Sequence, residues 1–339
     1  MTAVALLVSA CGSGSDTAAT TTSASTADSA STAQSASSAS SASSASSAPS
    51  ASSVSSSGSA APVDLSGLAE QAQLSPGFPV DDALRSALPA DVLEAGKVDV
   101  ALSVGIAPVN FPGATETDVK GALPDLQAGL QGLFGVEFTG EIYPSTASQL
   151  TALQSGRVQM TLSTNGDTAE RQETMDFVDY IRVDFNVAVA EGNPLGVTTL
   201  ADLCGKRLGQ VKGSASILEK IQPACAAAGT EDPAVSEFDD VASMQLALAS
   251  DRIDVFGDNT FSTLWSKAQG QPVDSVVIPE LGSLYFGFTF MKGQDQLRDA
   301  MLAGMQKLVE MGYYDEVLQR WGLSGGAITP GVNLATAAS

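Results

Sequence analysis

Between Val98 and Trp321 short apolar stretches with strand character alternate with helical ones, and this alternation narrows the choice of fold more than any other feature. The first run predicts a strand at Val98–Ile106, a loop at 107–113 and a helix carrying Leu123, Leu126, Leu130 and Leu133 at near-helical spacing. A strand at Val136–Tyr143, a helix at Thr146–Ser155 and a strand over 158–163 complete it. After Tyr180 an apolar strand, Val183 to Ala190, opens a second run. It reads Leu200–Leu203, strand Arg207–Val211, helix from Ser214 to Ala227, strand Val235–Phe238, helix Val241–Ser250 and strand Ile253–Gly257. A helix near Thr260–Ala268 and a strand at Ser275–Ile278 follow. The chain then crosses back at Leu284-Tyr285-Phe286-Gly287-Phe288 and closes with helices at Gln294–Met311 and Tyr314–Trp321. Strands alternating with helices predict an α/β fold with a largely parallel sheet covered on both faces.

The ends of the chain read differently. Residues 1–11, MTAVALLVSAC, form an apolar segment too short to span a bilayer, which needs about 20 residues. Val8-Ser9-Ala10-Cys11 resembles a bacterial lipobox, which implies lipidation of Cys11 and a targeting segment that ends there. The segment has no Lys or Arg, so the start codon is expected further upstream. From 12 to 62 the chain is mostly Ser, Ala and Thr, with too little apolar bulk to offset ordering entropy. As a flexible tether of about 50 residues it would span roughly 40 Å. Residues 63–96 form a lead-in with short helical turns. The formal charge of −22 argues against nucleic acid or an anionic membrane surface as partner. With no His in 339 residues, Ser-His-Asp and Cys-His catalysis and His-ligated metals are excluded; no cofactor is expected.

The stretch from Gly156 to Tyr180 carries the chemistry. After Val158, Met160 and Leu162 the strand is expected to break at Ser163-Thr164-Asn165-Gly166, small residues that let a ligand approach the backbone. Asp167 is a candidate N-cap with Glu170 three residues later, and Arg171 falls in the first helical turn. Helix start and guanidinium together would seat a carboxylate. The alternative is a surface Arg171 pairing with Glu170 or Glu173.

The order S-T-N-G-D-T-A-E-R followed by M-D-F-V-D-Y resembles the signature of the family-3 extracellular solute-binding proteins, the polar-amino-acid receptors of ABC importers. That resemblance implies a two-lobed periplasmic-binding-protein-like fold of type II with two hinge strands. Lobe 1 would comprise 97–184 plus 286–330, lobe 2 would be 185–285, and 331–339 a tail. It implies that Thr164, Asn165, Gly166 and Arg171 face the ligand's α-carboxylate and α-amino groups. The aromatic that stacks on the ligand falls at Asn110 or Phe111, although a Phe in a Pro-flanked loop also serves packing. The family's Gly-Phe-Asp-x-Asp-Leu reads Gly121-Ala122-Leu123-Pro124-Asp125-Leu126 here. In the second lobe Lys212-Gly213-Ser214-Ala215 stands where the family has Lys-Gly-Thr-Thr, so Ser214 and Ala215 are carried over as carboxylate contacts; Ser214 can equally be a helix cap. Asp258, or Asn259 beside it, matches the Asp that meets the ligand's ammonium, and Asp258 could instead cap the helix at Thr260. Gly166 and Ala215 lack hydroxyls that the family carries.

Two cysteines in an exported domain favour pairing, and Cys204 with Cys225 resembles the disulfide of the family's actinobacterial branch. The implied protein is a monomer anchored outside the cell membrane, partnered by ABC permease subunits. Two other classes share the fold. A dehydratase of prephenate-like acids would need a cleft acid or base that Gly166 and Ala215 do not supply, and a sensory module would need an attached output segment.

Overall fold

The computed structural model describes residues 72–115, 118–212 and 217–335; Cys11, the Ser/Ala tract, Ser214 and Ala215 lie outside them. Two short helices, α1 (Asp82–Ala87) and α2 (Ala90–Ala95), lead in, the first capped by Asp81 through Ala83 N and Leu84 N. Strand β1 (Lys97–Leu102) follows, then a small antiparallel pair, β2 (Phe111–Pro112) and β3 (Val119–Lys120). Helix α3 (Ala122–Phe134) follows the cap residue Gly121, where a φ of 129° and an added Cβ 2.4 Å from Val109 O leave no space for a side chain. Strand β4 (Glu137–Ile142) is followed by α4 (Thr146–Gln154), capped reciprocally by Ser145 and Ser148. Strand β5 (Met160–Gly166), the single turn α5 (Ala169–Gln172) and the long strand β6 (Met175–Ala190) complete the first half.

The second half runs through β7 (Arg207–Val211), α6 (Leu218–Ala228), β8 (Ala234–Phe238) and α7 (Val241–Ala249). Strand β9 (Val255–Asn259), α8 (Thr260–Ala268) and β10 (Val273–Val277) precede the returning strand β11 (Ser283–Met291). Helices α9 (Asp295–Glu310) and α10 (Tyr313–Arg320) and the short strand β12 (Gly331–Val332) close the chain. Among these elements α6 starts later than the sequence reading places it, at Leu218 instead of Ser214.

The strand order is β4-β1-β5-β11-β6-β9-β7-β8, with β10 and β12 also on β6. Pairs within each β-α-β run are parallel, whereas β11, β6, β10 and β12 join antiparallel. The sheet is therefore mixed at its middle, which the expectation of a largely parallel sheet missed. Two strands carry the chain between halves. β6 pairs with β11 as far as Asp184, then with β9 from Phe185 onward, so one strand serves both halves of the sheet. The apolar cores divide at the same place. One gathers Val100, Leu126, Leu130, Phe134, Phe288, Met301 and Trp321. Beyond the crossing, Val187, Val189 and Val255 face one cluster while Ala188 and Phe256 face another. That alternation is what a sheet covered on both faces requires, and each fully buried aliphatic side chain contributes about 1.5–3 kcal/mol.

Cys204 and Cys225 form a disulfide, Cα atoms 5.5 Å apart, that pins the turn at Leu200–Leu203 to α6. In the chain-entropy picture a closed loop of this size contributes about 3 kcal/mol. The stretch read as a tail is, through residue 335, part of the fold. Gly331 and Val332 pair with Asp179 and Val178, and Asn333 binds Phe177 N and Asp176.

Candidate functional site

The sequence places a loop at Ser163–Gly166, but these residues belong to β5. The cause is tertiary: β11 returns beside them and pairs Phe286 with Gly166 and Gly287 with Asn165. Asn165 is buried, its Nδ2 donating to Thr161 Oγ1 at 3.2 Å and Thr289 Oγ1 at 3.4 Å, while Thr164 is half-buried. Gly166 is buried, and a Cβ there would stand 2.5 Å from Leu284 Cδ2. Leu284 thus fills the space that the family's hydroxyl side chain would use. Gly166→Ser is expected to destabilise the protein by about 1–3 kcal/mol through overpacking. Introduced into Leu284→Ala, the same change should cost far less. Denaturant melts of the two single variants and the double variant check this; equal costs in both backgrounds would rule out the steric coupling.

The short helix also differs from the expectation. Its cap is Thr168, whose Oγ1 accepts from Arg171 N at 3.3 Å, and not Asp167; no capping box with Glu170 forms. Asp167 turns inward and is fully buried, accepting from both Gln172 Nε2 and Ala335 N. Because α5 is only one turn long, its dipole gives an anion little. The attraction at this place comes from Arg171 itself. Half-buried, it donates from Nη1 to Gly166 O at 2.7 Å and to no other side chain or carbonyl among the described residues. One contact fixes the fork and leaves its remaining N–H groups available.

In the loop after β1, Asn110 is fully buried: Nδ2 donates to Ser103 O and Oγ, both at 2.9 Å, and Oδ1 accepts from Ile106 N. Its amide is consumed in closing the loop. Phe111 is 9% exposed, with its ring centroid 4.9 Å from Trp265 on α8 and 5.8 Å from Trp321. Trp265 escaped the sequence reading. The signal was present in α8, where Ser262, Trp265, Ser266 and Gln269 recur at helical spacing as a polar face interrupted by one large ring.

On β9, Asp258 lies in register with Asn186 at the β6 crossing. Its Oδ2 accepts from Thr263 Oγ1 at 2.9 Å, and Thr263 Oγ1 accepts in turn from Asn186 Nδ2 at 3.0 Å. Burial pushes the Asp258 carboxyl up to about 6, and the hydrogen bonds from Asn259 and Thr263 offset only part of that. The cap of α8 is Asn259, which accepts from Ser262 N at 3.0 Å. Asp258 is therefore spared the capping task and has no cation beside it among the described residues. Lys212, two positions before Ser214 in the sequence, pairs with Asp239 at the surface.

Two pockets adjoin these elements. One, of about 280 Å³, lies where β1, β5 and α3 meet, against Leu102, Ser103, Leu123 and Leu162. The other, of about 300 Å³, lies between Gly105 and Ala107 on one side and α7 and α8 on the other. No cluster of metal-ligating side chains occurs among the described residues, and no helix among them is long and apolar enough to cross a membrane.

Residues 98–324 match the family described as bacterial extracellular solute-binding proteins, family 3. The chain belongs to that family. As a family-3 solute-binding protein it is 22% identical over 252 residues to the arginine-binding protein ArgT of Corynebacterium glutamicum, covering 72% of this chain and 80% of ArgT. Its fold is that of the amino acid ABC transporter substrate-binding protein AbpA from Streptococcus pneumoniae, a structure with L-arginine bound. The TM-score is 0.54 at 21% identity, over 70% of this chain and 99% of that one. It is similar also to the ancestral amino acid-binding protein AncCDT-1, a precursor of cyclohexadienyl dehydratase. There the TM-score is 0.55 at 20% identity, over 68% of this chain and 97% of that one. The family-3 protein thus has the two-lobed α/β architecture, with β6 and β11 as the strands that join the lobes.

Proposed function

We propose that this protein captures an amino acid or similar small zwitterion between its lobes and delivers it to an ABC importer, without chemical change. Residues 97–184 with 286–330 act as one body and 185–285 as the other, turning about β6 near Val183–Val187 and β11 near Tyr285–Phe288. Arg171 takes the carboxylate on one lobe. Thr164, Gly166, Ser214 and Ala215 are assigned to the same seat. Asp258 takes the ammonium on the other lobe, while Asn110 and Asn165 shape the walls from beneath. The observation that carries this reading is Asp258, a half-buried carboxylate in register with Asn186 at the β6 crossing, bonded to Thr263 Oγ1 and with no cation beside it among the described residues; burial pushes it up to about 6. A ligand ammonium would supply the missing charge and draw the group back to its ionised form. Lipidation at Cys11, with the Ser/Ala-rich segment as tether, would hold the receptor at the outer face of the membrane.

Calorimetry with the common amino acids tests the reading. The ligand's carboxylate and ammonium do not titrate between pH 5 and 8, so Asp258 governs the pH dependence in that range. Affinity is expected to be level above about pH 6 and to fall below it, by up to about tenfold per unit. Binding by no amino acid would overturn the assignment. The same raised carboxyl is also what a proton-transfer enzyme would need, so conversion of a cyclic carboxylic acid is the second reading. Product formation that disappears in Asp258→Asn would select it.

A further inference from the structure

Resting on the reading above, the geometry points to a ligand whose side chain ends in an uncharged amide or urea, held in the pocket between Gly105–Ala107 and α7–α8. This pocket, about 300 Å³, has the size of an amino-acid side chain with space to spare. Trp265 forms one wall and packs on Phe111 of the other lobe, so the space is shaped by both lobes. The polar groups are Gln245, Ser262, Ser266, Gln269 and Gln271, and no Asp, Glu, Lys or Arg lines it among the described residues. Asp240, just before α7, spends its carboxylate on Ser243 N.

The hydrogen bonds fix which way these groups point. Ser266 Oγ donates to Ser262 O at 2.8 Å, so it must accept from Gln245 Nε2, 2.6 Å away. Gln245 Oε1 is then a fixed acceptor with no partner among the described residues. Ser262 Oγ accepts from Asn259 Nδ2 at 2.9 Å, which leaves its own proton to donate. Along its Gln245–Ser262 side the pocket thus offers one fixed acceptor and one donor, while the amides of Gln269 and Gln271 can turn either end toward a ligand. An amide or urea answers both, its N–H to Gln245 and its carbonyl to Ser262. A guanidinium has no acceptor for the Ser262 proton, and its charge would meet no carboxylate here. Ser262 Oγ and Asp258 Oδ1 both accept from Asn259 Nδ2, at 2.9 and 3.4 Å, so the pocket's donor stands close to the carboxylate assigned to the α-ammonium.

Citrulline and arginine are isosteric and differ at the terminal group, urea against guanidinium, which makes them the decisive probes. Titration calorimetry on the full chain is expected to show citrulline, or glutamine, binding at least tenfold more tightly than arginine. In Gln245→Glu the ratio should reverse in favour of arginine. In Ser262→Ala, which keeps the Asn259 cap on residue 262 N, the citrulline advantage should shrink several-fold with no gain for arginine. Arginine binding more tightly than citrulline to the wild type, or an unchanged ratio in both variants with wild-type melting temperatures, overturns this inference and leaves the amino-acid receptor intact. Failure of every amino acid to bind overturns both.

Discussion

Arg171→Ala is expected to weaken amino-acid binding by about 2–5 kcal/mol, the usual cost of removing one partner from a buried charge pair. That corresponds to roughly thirty- to several-thousand-fold in Kd. The expectation rests on the guanidinium and not on the helix, since α5 is a single turn. The Gly166 carbonyl holds Nη1 and so sets the direction of the remaining fork toward the end of β5. Arg171→Lys should recover only part of the loss, because an ammonium cannot hold both the carbonyl and a carboxylate in the same plane. Arg182 is the control: exposed and paired with Asp184, it should tolerate Ala with little effect. Calorimetry on the three variants decides the matter. If Arg171→Ala binds within a few-fold of wild type, the anion is held elsewhere.

Much of the architecture can be read from local pattern because local causes produce it. The helix at Thr260–Ala268 and the strand at Arg207–Val211 occur within the bounds that capping and periodicity predict. The errors share a different cause, which is partners distant in sequence. β5 runs on to Gly166 because β11, more than a hundred residues later, pairs with it. β6 begins at Met175, eight residues before its apolar signal, because Asp176 and Asp179 disguise the strand. Their carboxylates are satisfied by groups no local window contains. Asp176 meets Lys292, Arg298 and Asn333, and Asp179 meets Leu334 N.

The site divides along the same line. Arg171 and Asp258 stand out in sequence because charge placed at strand ends is a local feature matched by the family resemblance. The cap at Thr168 and the inward turn of Asp167 depend on residues 172 and 335 as much as on the local triplet. Phe111 could be picked out as an aromatic in a loop, but its partner Trp265 lies across the cleft on α8. Contacts between lobes leave little trace in either lobe's own periodicity.

Asp179→Asn is expected to make the protein more stable at pH 8 while changing little near pH 4. Asp179 is fully buried on β6, and its register neighbours on both sides are glycines, Gly287 and Gly331. Burial, with the charge of Asp167 adding to it, pushes its carboxyl up to about 8; the hydrogen bond from Leu334 N opposes this without cancelling it. Oδ1 has no donor partner among the described residues, as suits a group that carries a proton. The folded-state pKa lies above the unfolded one, so the neutral form's contribution is complete below about pH 4. It is lost progressively as pH rises toward 8, where folding must either keep the proton against solution or bury a second charge beside Asp167. An Asn has the shape of the protonated acid: its Oδ1 can accept from Leu334 N and its Nδ2 can donate to Asp167. It therefore retains at pH 8 what the acid has only at low pH. The difference should be on the order of 3 kcal/mol, or roughly 6–10 °C in Tm for a folded region of this length. Asp258 and Asp125 also have raised carboxyls and lose stability in the same direction. The quantity to read is thus the gap between the two proteins' melting curves against pH, not the slope of either alone. Curves that stay parallel from pH 4 to 8 would mean that Asp179 is already ionised in the fold and that residues 331–335 are held without its proton.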